Sequence, residues 1–102
     1  MGITTVLETE DGKHLAVVQD PRNVLHGLLP AVDNPGYVYL SCIDRYGDTV
    51  FNHLQIPRFL AEWQTLEIDK RDSEVVTLFD SVQRLAESLL EQRHVYLKFY
   101  GD

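Results

Sequence analysis

The stretch IDRYGDTVFNH, from Ile43 to His53, holds the densest set of side chains that could do chemistry. Asp44 and Asp48 are two carboxylates four residues apart, and Asn52 and His53 follow closely. Acid–base catalysis by such a pair needs environments that separate the two pKa values. It also needs a base within reach of the proton that it takes. The spacing argues for a turn instead. Asp44 suits the first position of a type I turn, where its carboxylate accepts a nearby backbone N–H, and Gly47 suits a left-handed position. A turn tip is solvated, which leaves its carboxylates ordinary. Residues 48 and 53 are five apart and would point to opposite faces of a strand. The turn does not account for Tyr46, whose ring a tip would expose.

No other set of residues makes a stronger case for catalysis. His14, His26, His53 and His94 stand at no zinc-site spacing from one another or from a cysteine. Ser41 and Cys42 precede no base at a recognisable distance, and the glycine motifs of nucleotide sites and of serine hydrolases are missing. No cofactor and no metal is expected. Basic and aromatic residues are not interleaved as on RNA-binding sheets. Lys70 and Arg71, with Arg58, are the main concentration of positive charge and read as a solvated connection between helices.

The elements that must position these residues follow from hydrophobic periodicity. Ile3 to Thr9 and Lys13 to Gln19 read as two strands joined at Asp11-Gly12, a tight hairpin. Asp20-Pro21 reads as a helix start, with Val24, Leu25, Leu28 and Leu29 at helical spacing and Pro30 as the stop. Tyr37 to Ile43 reads as a third strand and Thr49 to His53 as a fourth. Pro57 opens a helix with Ile56, Leu60, Trp63 and Leu66 or Glu67 on one side and Phe59 widening that apolar stripe. Asp72 or Ser73 caps another, with Val75, Phe79, Val82, Ala86 and Leu89 on its apolar face and Leu78, Leu85 and Leu90 thickening it. Val95 to Tyr100 alternates strictly, with Val95, Leu97 and Phe99 facing the core. So apolar a last strand belongs inside the sheet.

The expected fold is a single α+β domain over residues 1–102, in the element order ββαββααβ. A largely antiparallel sheet carries its helices on one face. The other face would then display Tyr37, Tyr39, Tyr96 and Tyr100.

Composition narrows the function classes. The 102 residues suit one core, which buries roughly 65% of the unfolded chain's surface. Sixteen acidic against nine basic side chains leave a formal charge of −7, which disfavours nucleic acid and anionic lipid and favours a basic partner. Cys42 is the single cysteine, so an internal disulfide is excluded, and its place in an apolar run suggests a buried thiol. No apolar run approaches a membrane span or a leader segment, so the expected location is cytoplasmic.

Two segments, IDRYGDTVFN and the closing HVYLKFYGD, resemble a group of small bacterial proteins. That group shares a D-x-Y-G-D-T-V-F-N segment and an aromatic last strand ending Gly-Asp. It has no settled activity, so the resemblance implies a bacterial, single-domain, cytoplasmic protein and transfers no catalytic residue. In size and acidity the chain is also similar to immunity proteins.

The resulting expectation is a non-enzymatic, acidic protein-binding module, an immunity or antitoxin-like neutraliser of a basic partner. Asp44, Tyr46 and Asp48 form its tip, with Tyr37 and Tyr39 as aromatic anchors. The alternative is a small enzyme or ligand-binding protein with a polar pocket of Asp44, Asp48, Asn52 and His53. A homodimer through the last strand or the open sheet face is a third reading.

Overall fold

In the computed structural model, which describes residues 2–101, the chain adopts an α+β fold with an antiparallel sheet under a layer of helices. Met1 and Asp102, the last residue of the closing segment HVYLKFYGD, lie outside the described residues. Among the described residues four strands form one sheet: β1 (Thr4–Thr9), β2 (His14–Val18), β3 (Asp48–Phe51) and β4 (Val95–Tyr100). Their spatial order is β2-β1-β4-β3, and every neighbouring pair is antiparallel. The last strand is therefore internal, as its apolar alternation demands.

The β1–β2 hairpin closes where Asp11-Gly12 predicts. Gly12 has φ of 90° and its N–H donates to the Thr9 carbonyl at 3.0 Å, while Thr9 N–H donates to the Lys13 carbonyl at 2.9 Å. Such a φ is easily reached only by glycine.

The pairing register decides which side chains meet the helices. Thr5 lies opposite Phe99, Leu7 opposite Leu97, and Phe51 opposite Leu97 on the other flank. These residues, with Val95, turn to the helical layer and are buried.

Three helices form that layer: α1 (Val24–Leu28), α2 (Ile56–Trp63) and α3 (Ser73–Ser88). Pro57 stands in the first turn of α2, where its missing N–H removes no helical bond. Ile56, Phe59, Leu60 and Trp63 are buried on one side of it. The Asp72 carboxylate caps α3, accepting the N–H of Glu74 at 3.1 Å and of Val75 at 3.4 Å. Leu78, Val82 and Ala86 then face the core, and Leu89 follows in a short 3-10 turn, Leu89–Glu91.

An aromatic cluster joins the two layers. The rings of Phe51, Phe59 and Phe99 lie 5.3 to 6.0 Å apart. Trp63 stacks between Phe59 at 5.8 Å and Phe79 at 5.1 Å. Each such pair contributes about 0.5–1.5 kcal/mol beyond the area that it buries.

The structure departs from the sequence reading at several places. Tyr37 to Ile43 is not a strand: Tyr39 has helical φ and ψ, and Leu40–Cys42 forms a 3-10 turn. The observed order is thus ββαβααβ, with that turn where a strand was expected. Helix α1 begins at Val24 and not at Pro21, because Asn23 is left-handed with φ of 58° and interrupts the chain. Asp20 still caps it, accepting from Val24 N at 2.8 Å and Leu25 N at 2.7 Å. Cys42 is exposed, not buried, since the strand that would have turned it inward does not form. Gly47 does not have a positive φ, and Leu90 faces solvent.

Candidate functional site

The Asp44–Asp48 tip is built by local hydrogen bonds and anchored by a distant strand. Asp44 Oδ1 accepts the N–H of Tyr46 at 2.8 Å, and the Asp44 N–H donates to Thr49 Oγ1 at 2.9 Å. A Cβ on Gly47 would stand 2.7 Å from Asp44 Oδ2, so a larger residue here would have to turn the Asp44 carboxylate aside. The Gly47 carbonyl accepts the N–H of Gly101 at 2.7 Å, tying the tip to the end of β4.

Arg45 and Tyr46 then part company. The Arg45 guanidinium turns inward, where one Nη donates to the carbonyls of Leu29 and Pro30, each at 3.3 Å. Tyr46 turns outward and is 78% exposed. Together with Val32, 70% exposed, it lines a cleft of about 290 Å³ that also includes Cys42, Ile43 and Asp44.

The segment that leads into Ser41 and Cys42 is held by one carboxylate. Glu62 on α2 accepts the N–H groups of Val38 and Leu40, each at 3.0 Å, and that of Tyr39 at 3.0 and 3.2 Å. Three consecutive N–H groups converging on an anion form a nest. This contact pulls residues 38–40 out of an extended conformation and starts the 3-10 turn.

The expected anchors have other surroundings. The Tyr37 hydroxyl lies 3.1 Å from Thr65 Oγ1, and the Tyr39 ring lies 6.1 Å from that of Phe51. Both tyrosines are half-buried against the core and stand on a loop, so neither faces out from the sheet. Asp48 is exposed and opens β3 opposite Tyr100. Asn52 Oδ1 accepts the N–H groups of Leu54 at 3.0 Å and Gln55 at 3.1 Å, which turns the chain into α2. His53 is half-buried in that turn. The cleft that contains Asp44 includes none of Asp48, Asn52 and His53.

The sheet face away from the helices holds a polar cluster that the sequence reading missed. Glu8 is only 4% exposed there. Its Oε1 accepts from Tyr100 Oη at 2.6 Å and lies 2.9 Å from His14 Nε2, and its Oε2 accepts from Lys98 Nζ at 2.5 Å. Tyr100 is paired with Thr4, yet its hydroxyl reaches Glu8, so its side chain lies along the sheet past Val6. That explains why Val6 is 1% exposed on a face no helix covers. The hydrogen bonds from Lys98 and then Tyr100 hold the Glu8 carboxyl below its usual range despite burial. The bond to Glu8 raises Lys98 against the opposing effect of burial, and it also raises Tyr100, where burial acts in the same direction. With three donors on one carboxylate the cluster is a stabilising network. A lone Glu in the apolar run of β1 and a lone Lys in that of β4 were its only sequence signals.

Among the described residues no group of three or more His, Cys, Asp or Glu side chains could hold a metal ion. Nor is any helix there long and apolar enough to cross a membrane. No protein-family model matches the chain, and neither curated proteins nor solved structures show a significant match to it.

Proposed function

We propose that this protein is a non-catalytic, acidic binding module that covers a basic surface of a protein partner, as an immunity or antitoxin-type neutraliser does. The observation that carries this reading is the exposed ring of Tyr46 beside Val32 at the mouth of one cleft. Tyrosine combines a large apolar surface with a polar tip, and it is enriched among residues that dominate interface energies. The surrounding charge favours a basic partner. Asp33, Asp44 and Asp48 are exposed, while the guanidinium of Arg45 points into the protein. A net charge of −7 would also speed encounter with a cationic partner. In this reading Tyr37 and Tyr39 pack against the core, and the protein acts in the cytoplasm, where an exposed Cys42 stays reduced.

The test is capture of partners from the native host's lysate at low salt, followed by affinity measurements on Tyr46→Ala and on the double variant Asp44→Asn, Asp48→Asn. Tyr46→Ala should weaken binding by about 2 kcal/mol or more with an unchanged melting temperature. The double variant should bind more slowly and with less dependence on salt. Failure to retain any partner, or equal affinity of all variants, overturns the reading.

A further inference from the structure

We infer that a second cleft, between the β2–α1 connection and the first half of α3, binds a small uncharged molecule with an apolar body and a hydrogen-bonding edge. The cleft measures about 330 Å³, a size within the range of small-ligand sites. One wall is apolar, lined by Val18, Pro21 and Val24, and Leu78 adds apolar surface from α3. The opposite wall is one side of α3, where Ser73, Thr77 and Ser81 recur every four residues and present a row of hydroxyls. Ser73 and Thr77 are exposed and Ser81 is half-buried, so the row is open to an incoming molecule.

The charged groups around the cleft define the class of ligand. Both oxygens of Asp20 accept backbone N–H groups, from Val24 and Leu25. Arg22 and Glu74 are paired at 2.5 Å and tie the two walls together. Every charge at the rim therefore already has its complement. A charged ligand would have to break one of these contacts or leave its own charge without a partner, whereas a neutral one faces neither cost. An apolar face would pack on Val18, Val24 and Leu78 while a hydroxyl or carbonyl edge meets the α3 row.

Three probes of one shape test this inference: benzyl alcohol, benzoate and benzylamine, titrated into the intact ¹⁵N-labelled protein. Benzyl alcohol should shift the amide signals of Thr77, Leu78 and Ser81 saturably, at concentrations on the order of millimolar. Benzoate and benzylamine should bind at least about tenfold more weakly. Thr77 is exposed, so Thr77→Trp should fold, fill the cleft and abolish the response. The inference is overturned by an absent or non-saturating shift with benzyl alcohol. Equal responses to the three probes, or binding that persists in folded Thr77→Trp, overturn it as well.

Discussion

Gly101 abuts the carbonyl of Arg45: a Cβ at position 101 would stand 2.6 Å from both the carbon and the oxygen of that group. Two residues further along the tip, the Gly47 carbonyl accepts the Gly101 N–H at 2.7 Å. The segment containing Asp44–Asp48 and the end of β4 are more than fifty residues apart in sequence, yet they form one structural unit. The tip is presented on a central strand and does not project freely.

Gly101→Ala should therefore destabilise the protein, because the obstacle is backbone that cannot rotate aside. Overpacking of this kind costs about 1–3 kcal/mol. Urea denaturation of the variant checks it. A change below about 0.5 kcal/mol would mean that the tip shifts without resistance.

The Glu8 cluster should shape stability against pH on both sides of neutrality. The folded Glu8 pKa lies below its ordinary 4.5. Its contribution is thus fully present above that value and is lost as pH falls through the folded pKa. Lys98 and Tyr100 are raised above 10.5 and 10.0. Their contributions are present below those values and are lost as pH rises through the folded ones. Lys98→Met should cost about 3 kcal/mol at neutral pH, since it leaves a buried carboxylate without its ammonium. Chemical denaturation from acid to alkaline pH checks both limbs. Glu8→Gln should flatten them, and unchanged limbs in that variant would remove the cluster as their cause.

Glu62→Ala should loosen the loop at residues 38–40, just before the residues that line the Tyr46 cleft. The substitution leaves the N–H groups of Val38, Tyr39 and Leu40 without their acceptor, at a cost of about 1–3 kcal/mol. Amide exchange at these three positions should accelerate while β4 stays protected. Added formate should restore part of the protection, because the nest selects an anion and not glutamate as such. Unaltered exchange would show that the 3-10 turn holds without the carboxylate.

Trp63 is the single tryptophan and offers a clean optical reporter of its stack with Phe79. Phe79 is half-buried, so Phe79→Ala should cost about 2–3 kcal/mol, below the 3–5 typical of a fully buried ring. Trp63 emission should shift to longer wavelength as water reaches the exposed side of the indole. The Trp63 Nε1–H bond to the Phe79 carbonyl, 3.3 Å, involves only backbone at residue 79 and should survive. An unshifted spectrum would mean that neighbouring side chains close over the gap.

Much of the fold was written locally. The β1–β2 hairpin needs only alternation and an Asp-Gly turn; α3 needs a cap at Asp72 and apolar residues every three or four positions; β4 needs strict alternation. In each case the cause and its effect lie within a few residues, and the elements formed as expected. At the tip, the local hydrogen bond from Tyr46 N–H to Asp44 was legible for the same reason. The tertiary structure decided the rest. Tyr37 to Ile43 has the alternation of a strand, but a carboxylate from α2, more than twenty residues away, gathers its N–H groups and turns it. That exposes Cys42 and sets Tyr37 and Tyr39 against the core. Glu8 and Lys98, ninety residues apart, meet because β4 inserts beside β1. Gly47 is crowded by the Asp44 carboxylate, and Gly101 by the backbone carbonyl of Arg45. Short-range preferences act through the backbone and its near neighbours, so periodicity reveals them. A contact between distant residues exists only once strand order and helix packing have set the distance between them.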